Sequence, residues 1–226
     1  DFNEFNELSK SSDFPSNVIN LIDQYLEQYL NFVNNGSILS TESLEEFNKN
    51  LLFCCKRAEN SIKFTDIKKS IFEFEFELRL ATFYLISFIS TKNPSDSSCF
   101  LQILDRFDDE DKNHPDFYYL QKRYYVLFST YLIIIKFNSF DSIADAISWL
   151  SIDENHSFEN ELFAPYVCLA DGIKCFAHHL YQQAVQRTEK AFNLFPKKCI
   201  EMKKNCLILY YFSSFYLTNE IKIVPS

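Results

Sequence analysis

Residues 168–179 contain side chain types that bind metals, because Cys168, Cys175, His178 and His179 lie close together in the chain. On a helix, residues that are seven and then three or four positions apart lie on the same face. Two cysteine thiolates and one histidine imidazole on one face are side chains that bind zinc. A structural zinc site normally draws its ligands in pairs spaced C-x-x-C or H-x(3-5)-H, and neither pairing is present. We therefore interpret the cysteines as core residues of a helix and predict no metal or other cofactor.

Catalytic motifs are missing from the rest of the sequence. It contains no G-x-S-x-G, no phosphate-binding glycine loop and no H-E-x-x-H. Cys54 and Cys55 have no histidine nearby, and the acidic residues between Asp105 and Asp111 lack the glycine and the alternating ligands of a calcium loop. We expect that this chain is not an enzyme.

Glycine and proline are scarce, with 2 glycines and 6 prolines in 226 residues. Sandwiches and barrels need a turn about every ten residues, and nucleotide-binding α/β folds need a glycine-rich first loop. The composition therefore predicts an all-helical chain.

Charge and cysteine content restrict the partners and the compartment. The net charge of −9 argues against nucleic acid, since affinity for phosphate backbones comes from clustered lysine and arginine. The longest apolar run, Val126 to Ile135, is far shorter than the roughly 20 residues that span a bilayer. Seven cysteines inside apolar patterns are typical of a reducing compartment. We expect an intracellular protein, cytoplasmic or nuclear. Met202 is the single methionine, and we expect the chain to be a fragment of a longer one.

The segment IFEFEFEL, residues 71–78, alternates apolar and acidic residues as a strand does. A longer window favours a helix, because Ile71, Phe74, Leu78, Ala81 and Leu85 continue at helical spacing. Phe72, Phe76, Leu80 and Phe83 form a second stripe beside the first. We predict a helix that is packed on two sides.

Apolar periodicity along the chain predicts about nine helices with short connections and no strand. The predicted organisation is a loosely ordered arm at 1–13 followed by a single domain at 14–226, built as a superhelix of stacked antiparallel helix hairpins. Polar segments at 92–98, 108–115 and 153–156 are predicted breaks. The main predicted helices are 16–34, 42–60, 67–88, 100–107, 118–137, 140–150, 157–179, 181–195 and 198–219.

One segment has a more specific spacing. From Gly172, small residues follow at Ala184 and Ala191, and Pro196 comes after them. This spacing resembles the tetratricopeptide repeat (TPR), a 34-residue helix-turn-helix unit, and Tyr181 fits the aromatic at its turn. The resemblance covers about residues 165–198 and implies that small residues let neighbouring helices approach closely while the proline ends the second helix.

Several positions depart from the repeat. Cys168, Asp171, Cys175 and Thr188 stand where the repeat has other, mostly larger or apolar, residues. When the frame is continued, Cys206 falls on the next small position. Leu209 and Phe212 then fall on the buried face. The other helices are expected to be degenerate repeats.

The resemblance implies a non-catalytic scaffold that holds a peptide segment or helix of another subunit in a larger complex. The net charge and the short apolar runs predict no direct contact to nucleic acid or membrane. The alternatives are the helical-repeat half of a proteasome-lid or signalosome-like subunit, the non-catalytic helical arm of a large enzyme, and an RNA-contacting helical-repeat protein. The residues expected to line a partner surface are Tyr166, Lys174, His178 and Gln182.

Overall fold

The structure is a computed structural model, and it describes residues 14–35, 71–110, 117–148 and 162–218 together with the helical positions 45, 49, 52, 53 and 56. Regular structure in these residues is helical without exception, which confirms the all-α prediction for this part of the chain. Among the residues that the structure describes, no helix has the length and apolar character needed to cross a bilayer. In the described residues the helices are α1 Phe14–Asn35, α2 Ile71–Thr91, α3 Pro94–Glu110, α4 Phe117–Lys136, α5 Phe140–Ser148, α6 Ala164–Ala177, α7 Tyr181–Leu194 and α8 Ile200–Thr218.

Some predictions fall where the structure gives no description. The arm at 1–13 and the break at 153–156 lie outside the described residues, and the helix at 42–60 is represented by five isolated positions. The total of about nine helices and their stacking as a superhelix stay predictions.

The chain divides into two compact units, Asp1–Leu120 and Gln121–Ser226, with the division inside α4. This division does not decide whether residues 14–226 form the single domain that the sequence predicted, because a compact unit need not fold independently. The single domain therefore stays a prediction.

In the first unit α2 packs against both α1 and α3. Leu78, Ala81 and Leu85 are buried along one stripe of α2, and Phe76 and Phe83 along the other. The helix predicted for IFEFEFEL is therefore confirmed, and so is its burial on two sides.

A buried arginine joins α1 to α2. The Arg79 side chain is 3% exposed, and its Nε and Nη2 atoms donate to the two carboxylate oxygens of Asp23 at 3.0 and 2.7 Å. Nη1 donates to the carbonyl oxygen of Glu75 at 3.0 Å. The guanidinium thus keeps its hydrogen bonds although the apolar stripes of α2 surround it.

The connection between α2 and α3 is shorter than the sequence predicted. The break at 92–98 is wrong from Pro94 onward, because α3 begins there rather than at Phe100. Oδ1 of Asn93 accepts the backbone N–H of Ser95 at 3.0 Å, which is an N-cap, and a proline in the first helical position needs no N–H partner. The predicted turn at 108–115 is also wrong for residues 108–110, which extend α3.

In the second unit α6 packs against α5 and α7, and α7 packs against α8. The ends of α4, α7 and α8 lie within two residues of the predicted ones. The start predicted for α6 at Ser157 is wrong at the described positions 162 and 163, which form a turn. Pro165 explains the late start, because proline favours the first turn of a helix.

Candidate functional site

Gly172 lies at a close approach of α6 to both α7 and α8. A Cβ atom added to it would lie 2.8 Å from Oγ1 of Thr188 and 3.3 Å from Cδ2 of Leu209. Thr188 and Leu209 are fully buried, so a shift of either side chain would disturb its packed neighbours. The position is thus occupied by the one residue type that fits without displacing its neighbours.

The buried face of α7 consists of Ala184, Thr188 and Ala191. Small side chains on this face let the α7 backbone come close to its neighbours. Oγ1 of Thr188 donates to the carbonyl oxygen of Ala184 at 2.6 Å, so the buried hydroxyl is satisfied within its own helix. The structure therefore brings the three predicted small positions, Gly172, Ala184 and Ala191, into the packed interior of the second unit.

The turn between α6 and α7 is closed by backbone hydrogen bonds. The N–H of Leu180 donates to the carbonyl of Cys175 at 2.9 Å, and the N–H of His179 donates to that of Phe176 at 3.0 Å. His179 has φ 61°, the left-handed conformation that this helix ending requires. His178 is exposed beside it, so both histidines lie at the hairpin turn.

An aromatic cluster lies at this turn. The rings of Tyr181 and Tyr216 stack with centroids 5.2 Å apart, and Phe176 meets both edge-on at 5.7 Å. The Tyr181 hydroxyl also forms a 2.8 Å hydrogen bond with Nδ1 of His179. Tyr181, predicted at the turn, therefore joins the start of α7 to the end of α8.

Pro196 follows the end of α7. The helix ends at Leu194, and Phe195 turns into extended backbone before the proline. Phe195 is buried against Tyr166, with ring centroids 4.9 Å apart. The proline thus lies where the chain leaves α7.

Of the four residues expected on a partner surface, His178 and Gln182 are exposed and Lys174 is half-buried. Tyr166 differs, because only 3% of it is exposed. Burial also raises the pKa of its hydroxyl well above the usual tyrosine range. Its ring is core, and the expectation that it lines a surface is corrected accordingly.

The candidate metal ligands do not converge. Cys168 is buried, Cys175 is half-buried with its Sγ 3.8 Å from Oε1 of Gln183, and the two histidines are exposed. In the described part of the chain no three histidine, cysteine, aspartate or glutamate side chains come together as a metal site would require. Burial of Cys206, at the predicted small position on α8, raises the pKa of its thiol to about 12, so the group is not a thiolate at neutral pH.

Sequence reasoning missed a polar contact between α4 and α6. The Tyr125 hydroxyl donates to the carboxylate of Asp171. Burial raises the pKa of both groups above their usual values, although the hydrogen bond and Arg187 lower that of Asp171. The sequence did hold a signal for this contact, because Asp171 stands where the repeat has an apolar residue. An aspartate at such a position indicates a buried hydrogen-bond partner.

A cleft in the second unit lies between the end of α4 and the start of α8. Its volume is about 250 Å³. We call it the α4–α8 cleft. Two asparagines are among the residues that line it, one after the end of α4 and one on α8, together with one lysine and one glutamate. The lining residues are Ile133, Ile134, Ile135, Lys136, Phe137, Asn138, Ser139, Glu201, Met202 and Asn205.

The two faces of α8 differ from the prediction at one residue. Cys206 and Leu209 are fully buried, as predicted, whereas Phe212 is 50% exposed and its predicted burial is wrong. Half of Phe212 stays exposed although its ring meets that of Phe140 on α5 edge-on, with centroids 6.5 Å apart.

No family model, curated protein or solved structure matches this chain.

Proposed function

We propose that this chain is an intracellular, non-catalytic scaffold of the TPR-like kind, a stack of antiparallel helix hairpins that binds a segment of another protein within a larger assembly. The observation that carries the proposal is the α4–α8 cleft, whose lining suits an extended peptide.

Peptide binding follows from the groups in the cleft. The amides of Asn138 and Asn205 each offer a donor and an acceptor, the combination that a peptide group requires. Lys136 and Glu201 add opposite charges for side chains or a terminus. The volume of about 250 Å³ is below the roughly 300–1,000 Å³ of pockets that enclose small molecules, so a few residues of a longer chain fit better than a buried cofactor.

The packing around Gly172 supports the repeat-like part of the proposal. Gly172, Ala184 and Ala191 are all buried where α6 and α7 form their hairpin. A hairpin that packs backbone to backbone can be stacked on further hairpins at short distances. The same scaffold would position the ends of α4 and α8 on either side of the cleft.

The proposal is tested by replacing Asn205 with a photo-reactive phenylalanine analogue in the cell that makes the protein. We expect illumination to attach one particular polypeptide at this position. The matched control places the same group at Glu189, which is exposed on α7 and does not line the cleft. Asn138→Ala should weaken the labelling from position 205. Equal labelling from both positions, or no labelling at 205, would mean that the cleft is not a protein-binding site.

A further inference from the structure

α6 and α7 face each other in a defined antiparallel register. Sγ of Cys175 donates to Oε1 of Gln183 at 3.8 Å. Asp171 precedes Cys175 by four residues, and Arg187 follows Gln183 by four. Because residues four apart lie on the same face of a helix, Asp171 and Arg187 lie opposite each other, one turn away from this contact. An acid of α6 thus faces a cation of α7.

Two lysines extend this arrangement. Lys174 follows Asp171 by three residues on α6, and Lys190 follows Arg187 by three on α7, a spacing that makes side chains neighbours on a helix surface. We call Lys174, Arg187 and Lys190 the basic cluster, and all three are half-buried. Burial raises the pKa of Asp171, and the charges of these three residues lower it in part. The basic cluster therefore surrounds one buried acid.

Asp171 is held from α4 as well. Its carboxylate accepts the hydrogen bond of the Tyr125 hydroxyl, and Tyr125 is only 2% exposed. Three cations exceed this single carboxylate by two charges, whereas the whole chain has a net charge of −9. The basic cluster is thus a local positive site on an acidic chain, and such a site attracts anions.

Two of the cations have donors that the protein does not use. Within the described part of the chain, neither Arg187 nor Lys174 forms a hydrogen bond or an ion pair. A guanidinium carries five N–H donors in a planar fork. At a half-buried position water solvates this fork only in part, so an anion that accepts its hydrogen bonds is bound more strongly than at an exposed position. The donors of Arg187 therefore indicate an anionic ligand.

We propose that the basic cluster binds a phosphate group, either free inorganic phosphate or a phosphoryl group carried by another molecule. A guanidinium binds two oxygens of such a group side by side, and a lysine on the facing helix can bind a third. The doubly charged anion also matches the two positive charges by which the cluster exceeds its acid. None of these residues lines the α4–α8 cleft, so the proposal goes beyond the proposed function and does not depend on it.

The test is isothermal titration calorimetry of the 226-residue chain with sodium phosphate at constant ionic strength. We expect saturable binding at a single site. Arg187→Gln should weaken it at least about tenfold, because the fork supplies charge-assisted hydrogen bonds. Asp171→Asn should strengthen it about threefold, because the neutral amide does not repel the anion. Lys92→Gln is the matched control, since it removes an exposed cation outside the cluster and should leave the dissociation constant unchanged.

A second variant separates charge from hydrogen-bond geometry. Arg187→Lys keeps the positive charge but loses the planar fork, so it should bind phosphate with an affinity between those of the wild type and Arg187→Gln. Circular dichroism of each variant shows that the helices are retained. Equal affinity of the wild type and both Arg187 variants overturns the proposal, and so does a wild-type chain without saturable binding.

A second ligand identifies the source of the phosphate group. O-phosphoserine replaces inorganic phosphate in the same titration. Tighter binding of O-phosphoserine assigns the site to a phosphorylated side chain, and tighter binding of inorganic phosphate assigns it to the free anion. If sodium chloride at the same ionic strength gives the same heats as both, the cluster attracts anions without a specific site and the proposal is overturned.

Discussion

At the scale of single residues, Gly172 is a position where one added methyl group should change stability. Gly172→Ala places a Cβ 2.8 Å from Oγ1 of Thr188. We expect a net loss of about 1 kcal/mol in the free energy of unfolding, because overpacking costs about 1–3 kcal/mol while alanine favours a helix by about 1 kcal/mol over glycine. Urea denaturation followed by circular dichroism measures this change.

A second substitution identifies the cause. Thr188→Ala removes Oγ1, so Gly172→Ala should become neutral or stabilising in that background. Thr188→Val is the matched control, because its methyl group fills the place of the hydroxyl and the clash should remain. If Gly172→Ala lowers the free energy of unfolding equally in the wild type and in the Thr188→Ala variant, contact with Thr188 is not the reason that glycine occupies this position.

Asp171 predicts a specific dependence of stability on pH. Its pKa is raised in the folded chain, mainly by burial, so the native state binds more protons than the unfolded state between the usual aspartate pKa and the raised one. Stability contributed by the protonated acid is then complete below about pH 3.9 and falls as pH rises through the native pKa. The side chain amide of the Asp171→Asn variant is uncharged at every pH, and its oxygen can still accept a hydrogen bond from the Tyr125 hydroxyl.

We therefore expect Asp171→Asn to be more stable than the wild type at pH 7, with an advantage that shrinks toward pH 4. Thermal or urea unfolding across this range gives the comparison. Asp105→Asn removes an exposed acid on α3 and serves as the control. An advantage for Asp171→Asn that does not vary with pH would contradict the burial argument.

At the scale of helices, the Arg79–Asp23 contact is a polar link between α1 and α2. Asp23→Asn keeps the shape of the side chain but removes the nearer of the two carboxylate charges, Asp23 and Glu75, that pair with the buried guanidinium. We expect a cost of about 1–3 kcal/mol, seen as faster hydrogen exchange in both helices. Glu27→Gln, an exposed acid on the same helix, is the control and should leave exchange unchanged. If both substitutions speed hydrogen exchange equally, the loss of any acidic residue of α1 destabilises the two helices and the contact with Arg79 has no specific role.

The helical character of a segment was predictable from sequence because apolar residues recur at helical spacing over many positions. The helical stripe through Ile71, Phe74 and Leu78 continues beyond IFEFEFEL to Ala81 and Leu85, and α2 is a helix. Helix starts were predicted less well, since they depend on one or two residues. α3 begins at Pro94, after the N-cap Asn93, although the polar composition there suggested a loop. α6 begins beside Pro165, although apolar periodicity suggested an earlier start.

The candidate sites were only partly predictable, for a related reason. Gly172, Ala184 and Ala191 were identified because their spacing lies within one hairpin. The α4–α8 cleft joins Asn138 to Asn205 across distant parts of the chain, and no periodicity relates two such positions. The exposure of Phe212 was not predicted, because the repeat frame assigned this residue to the buried side of α8.

At the scale of the whole molecule, the two compact units make the single-domain prediction testable. The division at Leu120 falls inside α4, so a fragment intended to fold must keep α4 whole. We expect residues 117–226 expressed alone to be mainly helical and to unfold cooperatively, because the buried contacts of Gly172, Asp171 and Tyr166 lie within that range. A fragment that starts at residue 128 is the control, since it lacks Tyr125 and should be less stable. Circular dichroism and urea unfolding follow both fragments. If residues 117–226 are unfolded while the full chain is cooperative, the chain from 14 to 226 is one folding unit after all.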